Sequence, residues 1–194
     1  KFESLDLPRA YARALQQRFS HATDLCAEAV RKARATAARR GWTDGFAVAA
    51  QVREYALATA QGRSPTECEA LREAVTSAVA SLAHAPKAVR SILEQRFAAV
   101  AAGTVNPDVA ANEAALRLLC IRAELISGAP TPPEDLELRR EYQMRRLVES
   151  MGHGERVTPA ALDDLALEWI AIGPVEPAVH DALLARFERC RTAR

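Results

Sequence analysis

Cysteine and histidine are both scarce in this sequence, and neither occurs in a pattern that builds a metal site. The four cysteines lie far apart with no C-x-x-C pair, so neither a zinc knuckle nor a secreted disulfide framework is predicted. None of the four histidines has a second histidine, a cysteine or a carboxylate at metal-ligand spacing such as H-E-x-x-H. We therefore expect no metal ion, no cofactor and a reducing, cytoplasmic environment.

Long apolar runs and strand patterns are lacking as well. No run approaches the roughly 18 to 20 apolar residues that span a bilayer, and no signal-peptide pattern stands at the start. Alternating β-branched runs and Asn-Gly hairpin signals do not occur. A P-loop, a G-x-G-x-x-G after a strand and a G-x-S-x-G are also missing, which removes the commonest enzyme signatures. The sequence thus predicts an all-α protein that has no membrane partner and is not an enzyme.

Charge of one sign is not in excess. The 194 residues carry 26 basic and 25 acidic side chains, and this net charge of +1 argues against a general nucleic-acid coat protein. Local basic patches are compatible with that balance. A chain of this length buries a core without disulfides, as one domain or as two small helical ones. It begins at Lys1 rather than at a methionine, from which we expect a fragment of a longer chain.

One short motif, Leu-x-x-Arg-Phe, is repeated in three helical patterns. It begins at Leu15, Leu93 and Leu183. A proline stands seven residues before the leucine in the first two copies, whereas Glu176 holds that place in the third and Pro177 follows it. Leu and Phe four residues apart share one helix face, and we expect the Arg along the edge of that face with its head in water. The motif is interpreted as the building block of an array of similar helices.

Helical periodicity predicts an elongated bundle of about eight helices, of which the first is long. From Tyr11 to Ala37 the less polar residues recur every three or four positions, which places them on one stripe with coiled-coil spacing. A Gly-Trp pair at residues 41–42 is expected to end this helix, and a second helix is expected over residues 46–60. Capping boxes that begin at Ser64 and Thr131 mark later helix starts.

One apolar helix and one linker indicate how the chain is divided into domains. The helix that ends near Ser127 is apolar on all sides, and such a helix is expected at the centre of its bundle. The linker at residues 103–107 is the best internal boundary, which divides the chain into an N-terminal helical lobe (residues 1–103) and a C-terminal helical lobe (residues 104–194). A single elongated bundle fits equally well, because helix-to-helix loops of this length are normal within one bundle.

Two basic clusters are the candidate sites for contacts with a nucleic acid or another partner. The first cluster lies at the end of the long helix and the second flanks Tyr142 on the sixth: Arg31, Lys32, Arg34, Arg39 and Arg40, then Arg139, Arg140, Arg145 and Arg146. Such groups contact phosphate backbones, with Tyr142 or Trp42 as a stacking face. They fit a solvated helix face equally well, with salt bridges to Glu137 and to other glutamates three or four residues away.

Three stretches of the C-terminal part carry a family resemblance. They are residues 116–125, residues 132–147 with their Pro-Pro-Glu-Asp and Arg-rich segments, and the Trp-Ile-Ala-Ile-Gly-Pro of residues 169–174 before the last Leu-x-x-Arg-Phe. In these stretches the chain resembles the C-terminal half of proteobacterial proteins of domain-of-unknown-function family 349. The resemblance implies a long, multi-repeat, helical and cytoplasmic bacterial protein with no assigned catalytic residues.

Three hypotheses for the function follow. The first is a non-enzymatic helical scaffold whose surface binds another macromolecule, either a different protein or a second copy of itself. The second is an RNA- or ribosome-associated module that uses the two Arg-rich helix faces. The third is an enzyme with an unrecognised site, which would need a convergent polar pocket near His153, the histidine in the most accessible setting.

Overall fold

The computed structural model describes residues 9–105, 108–150 and 160–192. These residues form seven α-helices, one short 3-10 turn at Pro133–Asp135 and no strand. The helices are α1 (Arg9–Ala60), α2 (Pro65–Ala80), α3 (Lys87–Ala101), α4 (Val109–Ser127), α5 (Leu136–Ser150), α6 (Ala160–Ala171) and α7 (Pro177–Thr192). The all-α prediction and the long first helix are confirmed. None of the described helices is long and apolar enough to cross a membrane.

Helix α1 runs unbroken for 52 residues where two helices were predicted, so the helix end expected at Gly41 is wrong. Its glycines serve close packing instead. A Cβ at Gly41 would lie 2.1 Å from the backbone oxygen of His84, and a Cβ at Gly45 would lie 2.6 Å from Cγ1 of Val89. The missing side chains let α1 pass directly over the backbone of the α2–α3 connection and against the Val89 side chain of α3, because any larger residue would overlap those atoms.

The helix starts confirm one predicted capping box and correct the other. The Ser64 hydroxyl accepts from the Glu67 backbone N–H at 3.3 Å, and the Glu67 carboxylate accepts from the Ser64 backbone N–H at 3.1 Å. The box predicted at Thr131 is wrong, because Pro132 is the residue at that helix start and the Thr131 hydroxyl oxygen accepts from the Arg139 guanidinium at 2.7 Å. The hydroxyl donates its hydrogen to Glu124 Oε2 at 2.5 Å. Asp108 caps α4 through a first-turn backbone N–H.

One hydrophobic core joins the second half of α1 to α2, α3, α4, α6 and α7. Its aromatic centre is Trp169 stacked on Phe187, with ring centroids 4.7 Å apart, and Phe46 meets the edge of Phe187 at 6.3 Å. Residues 115–126 of α4 are all buried or half-buried, in agreement with its apolar composition, and the helix packs mainly against α6 and α7. Residues of both predicted lobes, before and after residue 103 in the sequence, contribute side chains to this core.

Candidate interaction surface on the first helix

Helix α1 consists of a packed half and an exposed half. From Gly41 onward most of its side chains are buried or half-buried in the bundle. Over residues 11–40, here called the α1 arm, only Ala12, Leu15 and Ala37 are half-buried and every other residue is exposed. At about 1.5 Å per residue the arm is about 45 Å long. The predicted stripe of apolar residues therefore lies on a helix, but on a part of it that the bundle does not cover.

The large apolar side chains of the α1 arm share one face. Tyr11 is 68 % exposed, Leu25 54 %, and Phe19 and Val30 are each 49 % exposed. At about 100° per residue these four and Leu15 fall within about 140° of the helix circumference. Smaller residues fill the same face: Ala22, Cys26, Ala29, Ala33 and Ala37. An apolar face of this length on a helix surface is typical of an interaction site.

The first basic cluster lies entirely on the α1 arm and is entirely exposed. The Lys32 ammonium pairs with the Glu28 carboxylate at 2.7 Å, and the Arg40 guanidinium approaches the Asp44 carboxylate at 3.9 Å. The arm as a whole has seven basic and two acidic residues, a net charge of +5 with its histidine neutral. Because these pairs are solvent-exposed, they leave most of the positive potential available to a partner.

The second basic cluster divides on α5. Arg139 is half-buried, and its guanidinium donates to the Thr131 hydroxyl at 2.7 Å and more weakly to the Ala129 backbone oxygen at 3.5 Å. Those bonds connect α5 to the segment before it. Arg139 is thus placed as a packing residue, away from the surface on which a phosphate contact was predicted.

The other three arginines of the second cluster are exposed. Arg140 pairs with Glu137 at 3.3 Å, which is the three-residue salt bridge expected for a solvated face. The Arg145 guanidinium lies 5.8 Å from the Tyr142 ring centroid, within the range of a cation–π contact. Arg146 is exposed on the same helix. This part of α5 also exposes large apolar residues, among them Met144 and Val148.

The second and third copies of Leu-x-x-Arg-Phe correct the expectation that the arginine head stays in water. In the third copy Leu183, Arg186 and Phe187 are all buried. In the second, Leu93 is buried and the guanidinium of Arg96 donates to the backbone oxygen of Ala171 at the end of α6. The motif therefore packs against other helices with its arginine bonded. In the first copy, which lies on the α1 arm, Leu15 is half-buried and Phe19 is exposed.

Sequence reasoning missed the ion pairs around Arg186. Its guanidinium donates to both oxygens of Glu124, at 2.5 and 3.0 Å, and also to Asp135. Burial by itself lowers the pKa of Arg186, but hydrogen bonds to Glu124 and Asp135 outweigh it and raise the pKa above its ordinary value. The sequence did contain a sign of these ion pairs. Glu124 is a carboxylate within the apolar end of α4, and a buried charge requires a partner of opposite charge.

A second buried cation, Arg53 on α1, was also missed. Its guanidinium donates to the backbone oxygens of Trp169 at 2.5 Å and Ile172 at 3.2 Å, where the negative end of α6 attracts a cation. It also contacts His180 Nε2 at 3.0 Å, while His180 Nδ1 lies 3.2 Å from an Asp181 carboxylate oxygen. Burial lowers the pKa of Arg53 to about 9, and burial followed by the charge of Arg53 lowers the pKa of His180. The neutral imidazole thus accepts from Arg53.

A surface cavity of about 370 Å³ lies between α2 and α3. The Arg90 guanidinium at its wall donates to the Leu82 backbone oxygen at 2.7 Å, and Glu94 is the carboxylate of the lining. Apart from these two residues and Thr76, the lining is apolar. In the part of the chain that the structure describes, no group of three His, Cys, Asp or Glu residues could hold a metal ion. His153 lies outside the described residues, so a site near it stays a prediction.

The comparisons with known proteins found no match: no protein-family model, no curated protein and no solved structure matches the chain. The resemblance to domain-of-unknown-function family 349 therefore stays a prediction. The interpretation of the α1 arm rests on its own geometry.

Proposed function

We propose that this chain is a non-enzymatic helical interaction module that binds another protein chain through the apolar face of the α1 arm. The observation that supports the proposal is the alignment of Tyr11, Leu25 and Val30 on one exposed face of a helix about 45 Å long. Exposed apolar surface costs roughly 25 cal/mol per Å², so a partner that covers this face is stabilised by the burial. Helix-in-groove and helix-on-helix recognition both use apolar anchors at this spacing.

The rest of α1 explains how such an arm is presented. Its packed half is anchored in the core by Val52, which is fully buried, and by the close approach at Gly41. A continuous helix transmits that anchoring to the exposed half without a flexible joint, because each turn is held by backbone hydrogen bonds. The partner then meets a preformed face, which lowers the entropy cost of binding.

A pull-down with matched variants tests this proposal. Leu25→Asp and Val30→Asp together place two charges on the apolar face, whereas Val148→Asp changes a similarly exposed apolar residue on α5. We expect the unchanged chain and the Val148 variant to retain the same bound protein at 0.5 M salt, and the double arm variant to lose it. Equal recovery of that protein by the double arm variant would contradict the proposal.

RNA binding is the alternative proposal, supported by the five exposed basic residues in the last third of the α1 arm and the arm's net charge of +5. Fluorescence anisotropy with a single-stranded RNA should give an affinity that falls steeply with salt, because phosphate contacts release counterions. Arg31→Ala with Arg34→Ala should weaken binding, whereas Arg63→Ala with Arg189→Ala, also exposed, should not. An affinity equally unaffected by both pairs would exclude the arm as an RNA site.

A further inference from the structure

We propose that the partner of the α1 arm is the α1 arm of a second copy of this chain, paired with it in antiparallel orientation. This inference rests on the proposed function, because it names the occupant of the same apolar face. It follows from three properties of the arm: the spacing of its apolar residues, the order of large and small side chains along it, and the place of its charges.

The spacing is that of a coiled-coil seam. From Leu15 onward the apolar residues alternate in steps of four and three, at positions 15, 19, 22, 26, 29 and 33. This is the repeat that keeps one seam facing a partner helix over several turns. None of these six positions carries a charged residue. Leu25 and Val30 lie beside the seam on opposite sides and widen it.

The order of side chains along the seam favours the antiparallel arrangement. The large residues, Leu15 and Phe19, stand in its first part, and the small ones, Ala29 and Ala33, stand in its second. In an antiparallel pair centred near residue 24, Phe19 meets Ala29 of the second copy and Leu15 meets Ala33, so each of the four outer layers combines a large and a small side chain. The distance between helix axes, about 8 to 10 Å depending on the contacting side chains, is then similar at both ends of the seam.

A parallel pair would join like to like instead. Phe19 would face Phe19 of the second copy at one end, and Ala33 would face Ala33 at the other. The helices would have to stand apart at the Phe19 layer and approach closely at the Ala33 layer. A straight parallel pair would therefore have either overlapping atoms at Phe19 or empty space at Ala33. The antiparallel pair also brings Leu25 of each copy together beside the two-fold axis, so that this residue acts twice in one interface.

The charges beside the seam predict how salt affects the pair. In the antiparallel register Arg18 faces Lys32 of the second copy, and only Lys32 has a carboxylate nearby, Glu28 at 2.7 Å. Two arms of net charge +5 repel each other, and added salt screens that repulsion. Self-association should therefore strengthen with ionic strength, which is opposite to the salt dependence of phosphate binding.

Sedimentation equilibrium of the whole chain tests the pairing. We expect a dimer whose Kd falls between 50 and 500 mM NaCl. Leu25→Asp should raise the Kd at least about tenfold because both copies carry the change at the axis. Val148→Asp should leave it unchanged. Circular dichroism of each variant checks that the bundle is folded. A monomer at all salt concentrations, or a dimer that Leu25→Asp does not weaken, would overturn the proposal.

Crosslinking tests the orientation. In an Ala22→Cys variant an antiparallel pair places residue 22 opposite Cys26 of the second copy, so the covalent dimer that a short bismaleimide forms should join 22 of one copy to 26 of the other. Peptide mapping that finds mainly 22 joined to 22 and 26 joined to 26 would show a parallel pair and overturn the orientation.

The pull-down separates the two proposals. A monomeric chain that still captures another protein through Leu25 and Val30 would overturn self-pairing and leave the proposed function standing. Loss of both activities would overturn the two together.

Discussion

Replacement of Arg186 by methionine tests the buried ion pairs at the junction of α4, α7 and the 3-10 turn. Arg186 is 7 % exposed, and its two carboxylate partners, Glu124 and Asp135, are 2 % and 4 % exposed. Methionine fills a similar volume but provides no donor. The substitution therefore strands two carboxylates in a region that water scarcely reaches, with Arg117 3.5 Å from Asp135 as the cation that remains beside them.

The magnitude follows from the burial. Removal of one partner from a buried ion pair costs about 3 to 5 kcal/mol, because the desolvated charge left behind has lost its compensation. At about 2 to 4 °C per kcal/mol for a chain of this size, the midpoint of thermal unfolding should fall by about 6 to 20 °C. The cost belongs at the upper part of the range, since Glu124 loses two hydrogen bonds and Asp135 loses one.

Urea unfolding monitored by circular dichroism gives the free energy of unfolding directly. Arg189→Met is the matched control, because Arg189 lies on the same helix and is exposed. Its effect should stay within about 0.5 kcal/mol. If Arg186→Met were also within about 1 kcal/mol of the unchanged chain, the reasoning would be refuted, since the carboxylates would then be as well stabilised by solvent as by the arginine.

Three further outcomes are expected. Burial and the charge of Arg53 lower the pKa of His180, so as the pH falls below about 6.5 the unfolded chain takes up a proton on this histidine before the folded chain does. The free energy of unfolding should therefore decrease below about pH 6.5, and it should decrease less steeply in the His180→Gln variant. Gly41→Ala should lower the free energy of unfolding by about 1 to 3 kcal/mol, because the new Cβ would lie 2.1 Å from a backbone oxygen, although alanine favours a helix. A variant that is more stable than the unchanged chain would exclude this close packing. At protein concentrations low enough that the chain is monomeric, exposed Cys26 should react with iodoacetamide much faster than Cys120, whose burial raises its pKa to about 12, as peptide mass spectrometry would show.

The sequence predicted those parts of the fold that depend on neighbouring residues. The Ser64 capping box and the burial of α4 on all sides are properties of short stretches, and both are confirmed. The helix end at Gly41 was predicted wrongly because the same residue type ends helices and permits close approach. Which role applies depends on the His84 backbone, more than forty positions later in the chain. The capping box at Thr131 was predicted wrongly for a similar reason, because the hydroxyl oxygen of Thr131 accepts from Arg139, eight positions later in the chain.

For the candidate site, the sequence predicted a helix face but not what lies against it. The three copies of Leu-x-x-Arg-Phe have the same local pattern, yet Phe187 is fully buried and Phe19 is 49 % exposed. The arginines differ in the same way, since Arg186 binds carboxylates brought from α4 and the 3-10 turn. Contacts between distant segments decide these differences, and a local motif contains no information about them.

The separation of apolar and charged residues along the α1 arm favours the binding of a partner. A helix whose only surroundings were water would be stabilised by charged side chains on all sides, through pairs such as Glu28 with Lys32. The arm instead keeps its seam positions from Leu15 to Ala33 free of charge and places seven basic residues elsewhere or at the ends of the seam. Such an arrangement contributes little to the packing of helices α2 to α7, because they leave most of that face exposed. It does stabilise a complex in which a second helix lies along the seam, and the large-to-small order from Leu15 to Ala33 makes a reversed copy of the same helix the best fit.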